Sequence, residues 1–321
     1  MNTNIILVVL GEPNSIFSEV LFKYFKSSNY KKNKQKIILI GSSKLFQKQM
    51  KFLGYKFKIN EIDNISKFND KFINIINVKY DFTKTFTKIT SRSNNYIENS
   101  FNLATKLIKL NKLDKLINGP VSKTHFLKKK YPGITEYIGF KTKTKKQTML
   151  IYNEKLAVCP LTTHIPIKNV AYKIKKKKII ESVNKINSFY TLRLGKIPKI
   201  AVLGLNPHCE TTDNVSEERN EIIPAIKYLK KKQIKIFGPF AADTFFLKKN
   251  IKNFDVVVGM YHDQVLTPAK TLFNFKAINI TLGLPFIKVT PDHGPNYEMI
   301  GKNKSDPASI FYAFSFFNKI K

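Results

Sequence analysis

The chain has 321 residues, 43% of them hydrophobic, which is enough to bury a large core as one α/β domain or two lobes. Its formal net charge is +34, yet only three basic residues are arginine (Arg92, Arg193, Arg219), the side chain suited to bidentate reading of bases and phosphates. The charge therefore reads as solvated surface lysine and disfavours a nucleic-acid partner. Two distant cysteines, Cys159 and Cys209, exclude a disulfide framework and a CxxC metal motif and fit a reducing, cytoplasmic compartment, and no apolar run reaches the roughly 18 residues a membrane span requires.

The apolar run at the start lacks a basic leader and a small-residue cleavage site, and Gly11-Glu12-Pro13 interrupts it, so it reads as a first strand over residues 4–10. Further β-branched runs predict strands at 36–40, 115–118, 199–205, 233–237, 255–260 and 277–282. Helical stretches lie between them at 18–26, 96–110, 168–187, 216–232 and 307–319, the last two opening on the capping signals Ser216-Glu217-Glu218 and Asp306-Pro307. The densest lysine run, 173–178 broken only by Ile174, forms the exposed part of the helix at 168–187. The alternation predicts an α/β sheet. Residues 42–90 carry no readable motif and read as a peripheral variable lobe. No low-complexity linker divides the chain, so two lobes would have to be interwoven.

Three of the five histidines share a setting: Thr162-Thr163-His164, Asn206-Pro207-His208 and Tyr261-His262-Asp263. Each follows a strand at its carboxyl end, where ligands collect in open α/β sheets. Three neutral imidazoles with an open coordination position suit a catalytic divalent ion. Taken singly, each histidine could equally cap a helix or satisfy a loop; His125 has no such setting and reads as surface. Lys270, Asn279 and Lys288, around Gly283-Leu284-Pro285, could offer two cations and an amide to a phosphate, with charge-assisted hydrogen bonds worth roughly 1.5 to 3 kcal/mol each. In so basic a chain such a trio also arises from composition alone. Asp292-His293-Gly294, followed by Gly301-Lys302 and Asp306-Pro307, forms a polar loop into the last helix that could present backbone N–H groups to a pyrophosphate. Neither GxGxxG nor a Walker A motif occurs, which disfavours a standard Rossmann site and an ATPase.

Seven segments in order resemble the signatures of the 4-hydroxythreonine-4-phosphate dehydrogenase family. They are Asn118-Gly119-Pro120-Val121-Ser122-Lys123, Gly133-Ile134-Thr135-Glu136, Leu161-Thr162-Thr163-His164-Ile165-Pro166, Gly204-Leu205-Asn206-Pro207-His208, Gly238-Pro239-Phe240-Ala241-Ala242-Asp243-Thr244, Tyr261-His262-Asp263-Gln264 and residues 279–309, with a fainter match at Gly11-Glu12-Pro13. The resemblance implies an α/β fold of two interwoven lobes around a mixed sheet, as in isocitrate and isopropylmalate dehydrogenases. Those enzymes bind NAD without the glycine fingerprint. It further implies an active site in the cleft between the lobes, and a single family unit spanning residues 1–321. His164, His208 and His262 match the family's ligands to one divalent ion (zinc, magnesium or cobalt), completed across a homodimer interface. Ile134, Thr135, Lys270, Asn279 and Lys288 occupy substrate positions, and Asp292, His293 and Gly294 would lie against NAD or NADP. Asp243 and Asp263 are candidates for proton handling or for orienting the histidines.

The implied reaction oxidises 4-phosphooxy-L-threonine to 2-amino-3-oxo-4-phosphooxybutanoate, which decarboxylates to 3-amino-2-oxopropyl phosphate on the way to pyridoxine 5'-phosphate. The chain departs from the family pattern at several points. Ile134 stands where the family has histidine, and Lys288 where it has arginine. Cys209-Glu210-Thr211-Thr212 replaces a glycine-rich loop, and Ser15, Phe17 and Ser18 replace N-terminal glycines. These departures keep open a related dehydrogenase of phosphorylated threonate or erythronate. From another class, a basic nucleic-acid-binding protein on the same scaffold also stays open.

Overall fold

In a computed structural model of the chain, the described residues are 4–128, 130–210, 216–274 and 276–320. The chain divides into two compact units, Met1–Gln147 with Leu284–Lys319, and Thr148–Gly283 with Ile320–Lys321.

The first unit begins β1 (Ile5–Val9), α1 (Phe17–Lys26), α2 (Ser28–Lys31), β2 (Lys36–Gly41), α3 (Ser43–Phe52), β3 (Ile59–Ile62), β4 (Ile73–Asn77), α4 (Asn94–Asn111), β5 (Lys115–Asn118) and α5 (Ile134–Lys141). The second holds β6 (Thr148–Tyr152), β7 (Ala157–Pro160), α6 (Val170–Lys173), α7 (Lys176–Phe189), β8 (Ile200–Leu203), α8 (Ile223–Lys231), β9 (Ile236–Phe240), α9 (Ala242–Phe245), α10 (Lys248–Ile251), β10 (Val256–Gly259), α11 (His262–Phe273) and β11 (Ile278–Leu282). The chain then returns to the first unit for β12 (Ile287–Pro291) and α12 (Ala308–Lys319).

In the first unit the strands run β3-β4-β2-β1-β5-β12, all parallel. A parallel strand covered on both faces must be apolar on both, and β1 is buried along its whole length. Its carboxyl end turns at Gly11, whose φ is +71° and whose missing Cβ would lie 2.5 Å from the Pro120 carbonyl oxygen. Only glycine permits that approach, and it lets the Glu12 amide donate to Pro120 at 2.9 Å. In the second unit the order is β11-β6-β7-β10-β8-β9, with the first two pairings antiparallel and the rest parallel. The fold is α/β, with a parallel sheet in one unit and a mixed one in the other.

Residues 42–90 lie at the edge of this sheet but are built into its core rather than forming a separate lobe. β4 pairs with β2, Ile75 is fully buried, and Ile62 and Ile76 belong to the apolar cluster beneath the sheet. The segment also contains α3, capped where the Ser42 hydroxyl accepts from the Leu45 amide at 3.3 Å. The single helix expected at 168–187 is two, because Ile174 takes an extended backbone (ψ 109°) and turns fully inward between α6 and α7. β9 begins three residues later than the run that suggested it. Strands β3, β4, β6, β7 and β12 and helices α5 and α11 were not legible; α11 contains Pro268, which deprives the Gln264 carbonyl of its helical donor.

Substituting Ile75→Ala should cost about 2 to 5 kcal/mol in a urea unfolding experiment, the value for a buried core side chain. A loss near zero would return the segment to the periphery.

Candidate functional site

The parallel order β7-β10-β8-β9 sets four carboxyl ends side by side in the second unit. His164 follows β7, His262 follows β10, His208 follows β8 and Asp243 follows β9. Three histidines distant in sequence therefore arrive at one sheet edge from three adjacent strands. The rings of His164 and His262 lie 5.8 Å apart between centroids. His262 Nδ1 is 2.6 Å from Asp263 Oδ1, which leaves Nε2 as the nitrogen available to a ligand. His208 Nδ1 is 3.9 Å from Asp243 Oδ2. The loop after β8 places His208 and Cys209 at left-handed φ of 55° and 61°, a conformation that costs a non-glycine residue on the order of 1 kcal/mol. Thr211 and Thr212, which complete that loop's departure from the family pattern, lie outside the described residues.

Two residues with no role at the site legible in the sequence hold these ends in place. Glu218 is buried, and its Oε1 accepts from the Leu205 and Asn206 amides at 2.7 and 2.9 Å while its Oε2 accepts from the Asn206 side chain at 2.8 Å. Burial pushes its carboxyl up, but these hydrogen bonds outweigh burial and hold it below the ordinary glutamate value. Gln264 joins two strand ends: its Oε1 accepts from the Met260 amide at 2.6 Å and its Nε2 donates to the Gly204 carbonyl at 2.8 Å. Thr162 Oγ1 donates to the Met260 carbonyl at 2.7 Å, so the ends of β7, β10 and β8 form one hydrogen-bonded assembly. The available signal was position, since Glu218 and Gln264 stand within the first turns of helices that follow strand-end loops.

The other candidates divide between the units. Lys270 is exposed on α11, and Asn279 lies on β11 with its Oδ1 buried and without a partner among the described residues. In the first unit Thr135 is buried in the first turn of α5, and Ile134 packs against the apolar cluster that includes Tyr137 and Ile138. Lys288 on β12 is fully buried. Burial pushes its ammonium down to about 7, against an upward pull from Glu136, whose Oε2 is buried without a partner among the described residues. Asp292, His293 and Gly294 follow β12, with Gly294 exposed and open above its Cα. His293 Nδ1 is 3.1 Å from the Gly294 carbonyl oxygen, and its Nε2 is buried with no partner among the described residues. Burial lowers the pKa of that ring, favouring the neutral imidazole.

The donor chemistry at the second unit's edge suits a divalent ion, since neutral imidazoles and carboxylates are ordinary ligands for zinc or cobalt. Among the described residues, no three His, Cys, Asp or Glu side chains are grouped closely enough to hold one together. One chain supplies two pairs, His164 with His262 and His208 with Asp243. Among the described residues, the buried Nε2 of His293 and Oδ1 of Asn279 have no partner, and each is an atom that a bound ligand could satisfy. Among the described residues no helix is long and apolar enough to cross a membrane.

The family model for pyridoxal phosphate biosynthetic protein PdxA matches residues 33–316. A 4-hydroxythreonine-4-phosphate dehydrogenase of Sulfurihydrogenibium sp. (strain YO3AOP1) is 39% identical over 95% of each chain. The D-threonate 4-phosphate dehydrogenase of Salmonella typhimurium is 28% identical over 97% of each. Among solved structures, a 4-hydroxythreonine-4-phosphate dehydrogenase from Klebsiella pneumoniae superposes with a TM-score of 0.85 at 26% identity, covering 98% of this chain and 99% of that one. Isocitrate dehydrogenase from Methylococcus capsulatus shares the fold at 10% identity (TM-score 0.51, covering 98% of this chain and 85% of that one), as the sequence resemblance implied.

Lys288 carries a stability signature. Its pKa in the fold, about 7, lies below the unfolded value of 10.5, so the unfolded chain binds more protons between those two pH values and stability rises with pH across that window. Relative to wild type, Lys288→Met should be most favoured at and below about pH 7 and lose that advantage as pH approaches 10. Urea midpoints of both proteins at pH 7 and 9.5 test this; a difference independent of pH would count against it.

Proposed function

Because the chain belongs to the family of pyridoxal phosphate biosynthetic protein PdxA, we propose that it oxidises 4-phosphooxy-L-threonine with NAD or NADP in a metal-dependent reaction. The carrying observation is the delivery of His164, His262 and His208 from three adjacent parallel strand ends. The product, 2-amino-3-oxo-4-phosphooxybutanoate, is a β-keto acid whose loss of carbon dioxide leaves 3-amino-2-oxopropyl phosphate, placing the chain in pyridoxine 5'-phosphate synthesis. When bound, a divalent ion supplies Lewis acidity that lowers the substrate hydroxyl's pKa, and the nicotinamide accepts hydride.

The chain's own residues do the rest. His164, His208 and His262 hold the ion, with the ligand set completed by a second copy in a homodimer that shares the site. Asp263, 2.6 Å from His262 Nδ1, fixes that ring's orientation and tautomer. Asp243, exposed and with its Oδ2 3.9 Å from His208 Nδ1, accepts the hydroxyl proton in this reading. Asn279 Oδ1 accepts from the substrate, Thr135 hydrogen-bonds to it, and Lys270 and Lys288 meet its anionic groups. His293 Nε2, with Asp292 and Gly294, faces the dinucleotide. A soluble enzyme of the cytoplasm fits these substrates.

A second reading, oxidation of phosphorylated threonate or erythronate, is favoured by two observations. Ile134 turns into the apolar cluster rather than offering a polar group, and the Salmonella relative bears the threonate name. A basic nucleic-acid-binding role on this scaffold would instead show a steep loss of affinity with salt.

NADH or NADPH formation, followed by absorbance with 4-phosphooxy-L-threonine and with phosphorylated threonate and erythronate, decides among these. The expected result is turnover of the threonine derivative above the others, abolished by EDTA, restored by zinc, cobalt or magnesium, and reduced at least about 100-fold by His164→Ala. Turnover of only an amino-free acid would establish the second reading. Full activity in His164→Ala would remove the metal from the mechanism.

A further inference from the structure

The loop joining β12 to α12 carries Asp292, His293 and Gly294 and has little regular structure of its own beyond one turn at Tyr297–Met299. Asn296, Gly301 and Asn303 take φ values of 52°, 73° and 56°, and Gly294, Asn296, Tyr297 and Glu298 are exposed. Such a segment gains conformational entropy unless it is tied down. In this chain it is tied to α1 at both ends. Near its start the Ile16 amide donates to the Pro295 carbonyl at 3.2 Å, and the Phe17 ring lies 6.1 Å from that of His293. Near its end, Glu19 Oε1 accepts from the Ser305 amide at 2.6 Å and from Lys23 Nζ at 2.9 Å. Lys23 Nζ in turn donates to the carbonyls of Ser305 at 2.6 Å and Asn303 at 3.2 Å.

Glu19 and Lys23, one helical turn apart, thus grip the backbone of residues 303–305 from both its donor and acceptor sides. The helix that carries them is anchored in the core, with Val20, Leu21 and Phe22 fully buried. Glu19 is only 1% exposed, and its second oxygen, together with the Ser18 and Ser305 hydroxyls, is buried without a partner among the described residues. A buried carboxylate with half its hydrogen bonds unmade costs stability that an apolar residue would not. Packing alone gives no reason for a carboxylate there; the grip on the loop does.

We infer that Glu19, through Lys23, is the positioning residue that holds the dinucleotide-facing loop in its binding conformation, an inference that rests on the cofactor role proposed above. Glu19→Met removes the acceptor for the Ser305 amide at similar volume. Lys23→Met removes the other half from a partly exposed side chain. Glu19→Gln keeps an acceptor and serves as the conservative rescue.

Hydrogen exchange on the cofactor-free proteins and NADH or NADPH binding by fluorescence are measured for all four chains. Glu19→Met and Lys23→Met should speed exchange at amides 292–305 without affecting those of β1. They should also raise the dinucleotide Kd and KM about tenfold, as expected when the binding-competent fraction falls to about a tenth. Values of kcat at saturation should stay within about twofold, and Glu19→Gln should restore most of the affinity. A Glu19→Met protein that folds and binds dinucleotide as tightly as wild type overturns the inference; if that variant does not fold, unchanged binding by Lys23→Met does so. A wild-type chain that binds neither dinucleotide removes the cofactor reading itself, and the inference falls with it.

Discussion

The candidate site depends on one constraint, the parallel hydrogen-bonded register of β7, β10, β8 and β9. Parallel neighbours stand about 4.8 Å apart and end on the same side, so whatever follows each strand is delivered to one edge at that spacing. The 5.8 Å between the His164 and His262 rings is close to this strand spacing, widened by the side chains. Glu218, Gln264 and Thr162 then turn three loose chain exits into a single assembly by taking up the amides and carbonyls that the strand ends leave unpaired.

The first unit solves a different problem. β1 is apolar throughout, yet ionisable groups are buried close to it in the same unit: Lys288 on β12, and Glu12 after β1. Burial raises Glu12 to about 7, against hydrogen bonds from the Asn14 amide and the Ser93 hydroxyl. Burial lowers Lys288 to about the same value. Both groups are therefore poised to change charge near neutrality, unlike the many surface lysines that give the chain its net charge of +34.

The departures at Ile134 and Lys288 acquire physical meaning in this setting. Ile134 completes the apolar contact of α5 with the cluster around Tyr137 and Ile138. A lysine at 288 places a point charge that can be discharged by burial, whereas arginine would present a permanent planar fork. The chain belongs to a family of dehydrogenases and is an oxidoreductase of that family.

Much was legible in the amino-acid sequence: the α/β class, the buried strands β1, β2, β5, β8, β10 and β11, the caps at Ser216 and Asp306, and the three histidine settings. Apolar runs and caps are local signals, written in neighbouring residues, and ordered motifs identify a family without any geometry. Strand order is not local. That β7 and β8 flank β10, that the motif-poor strand β4 pairs with β2, and that Gln264 on a proline-containing helix ties two strand ends together all depend on partners tens of residues away. Only the tertiary structure decided those, because hydrogen bonding between strands is a property of the pair and leaves no mark on either strand alone.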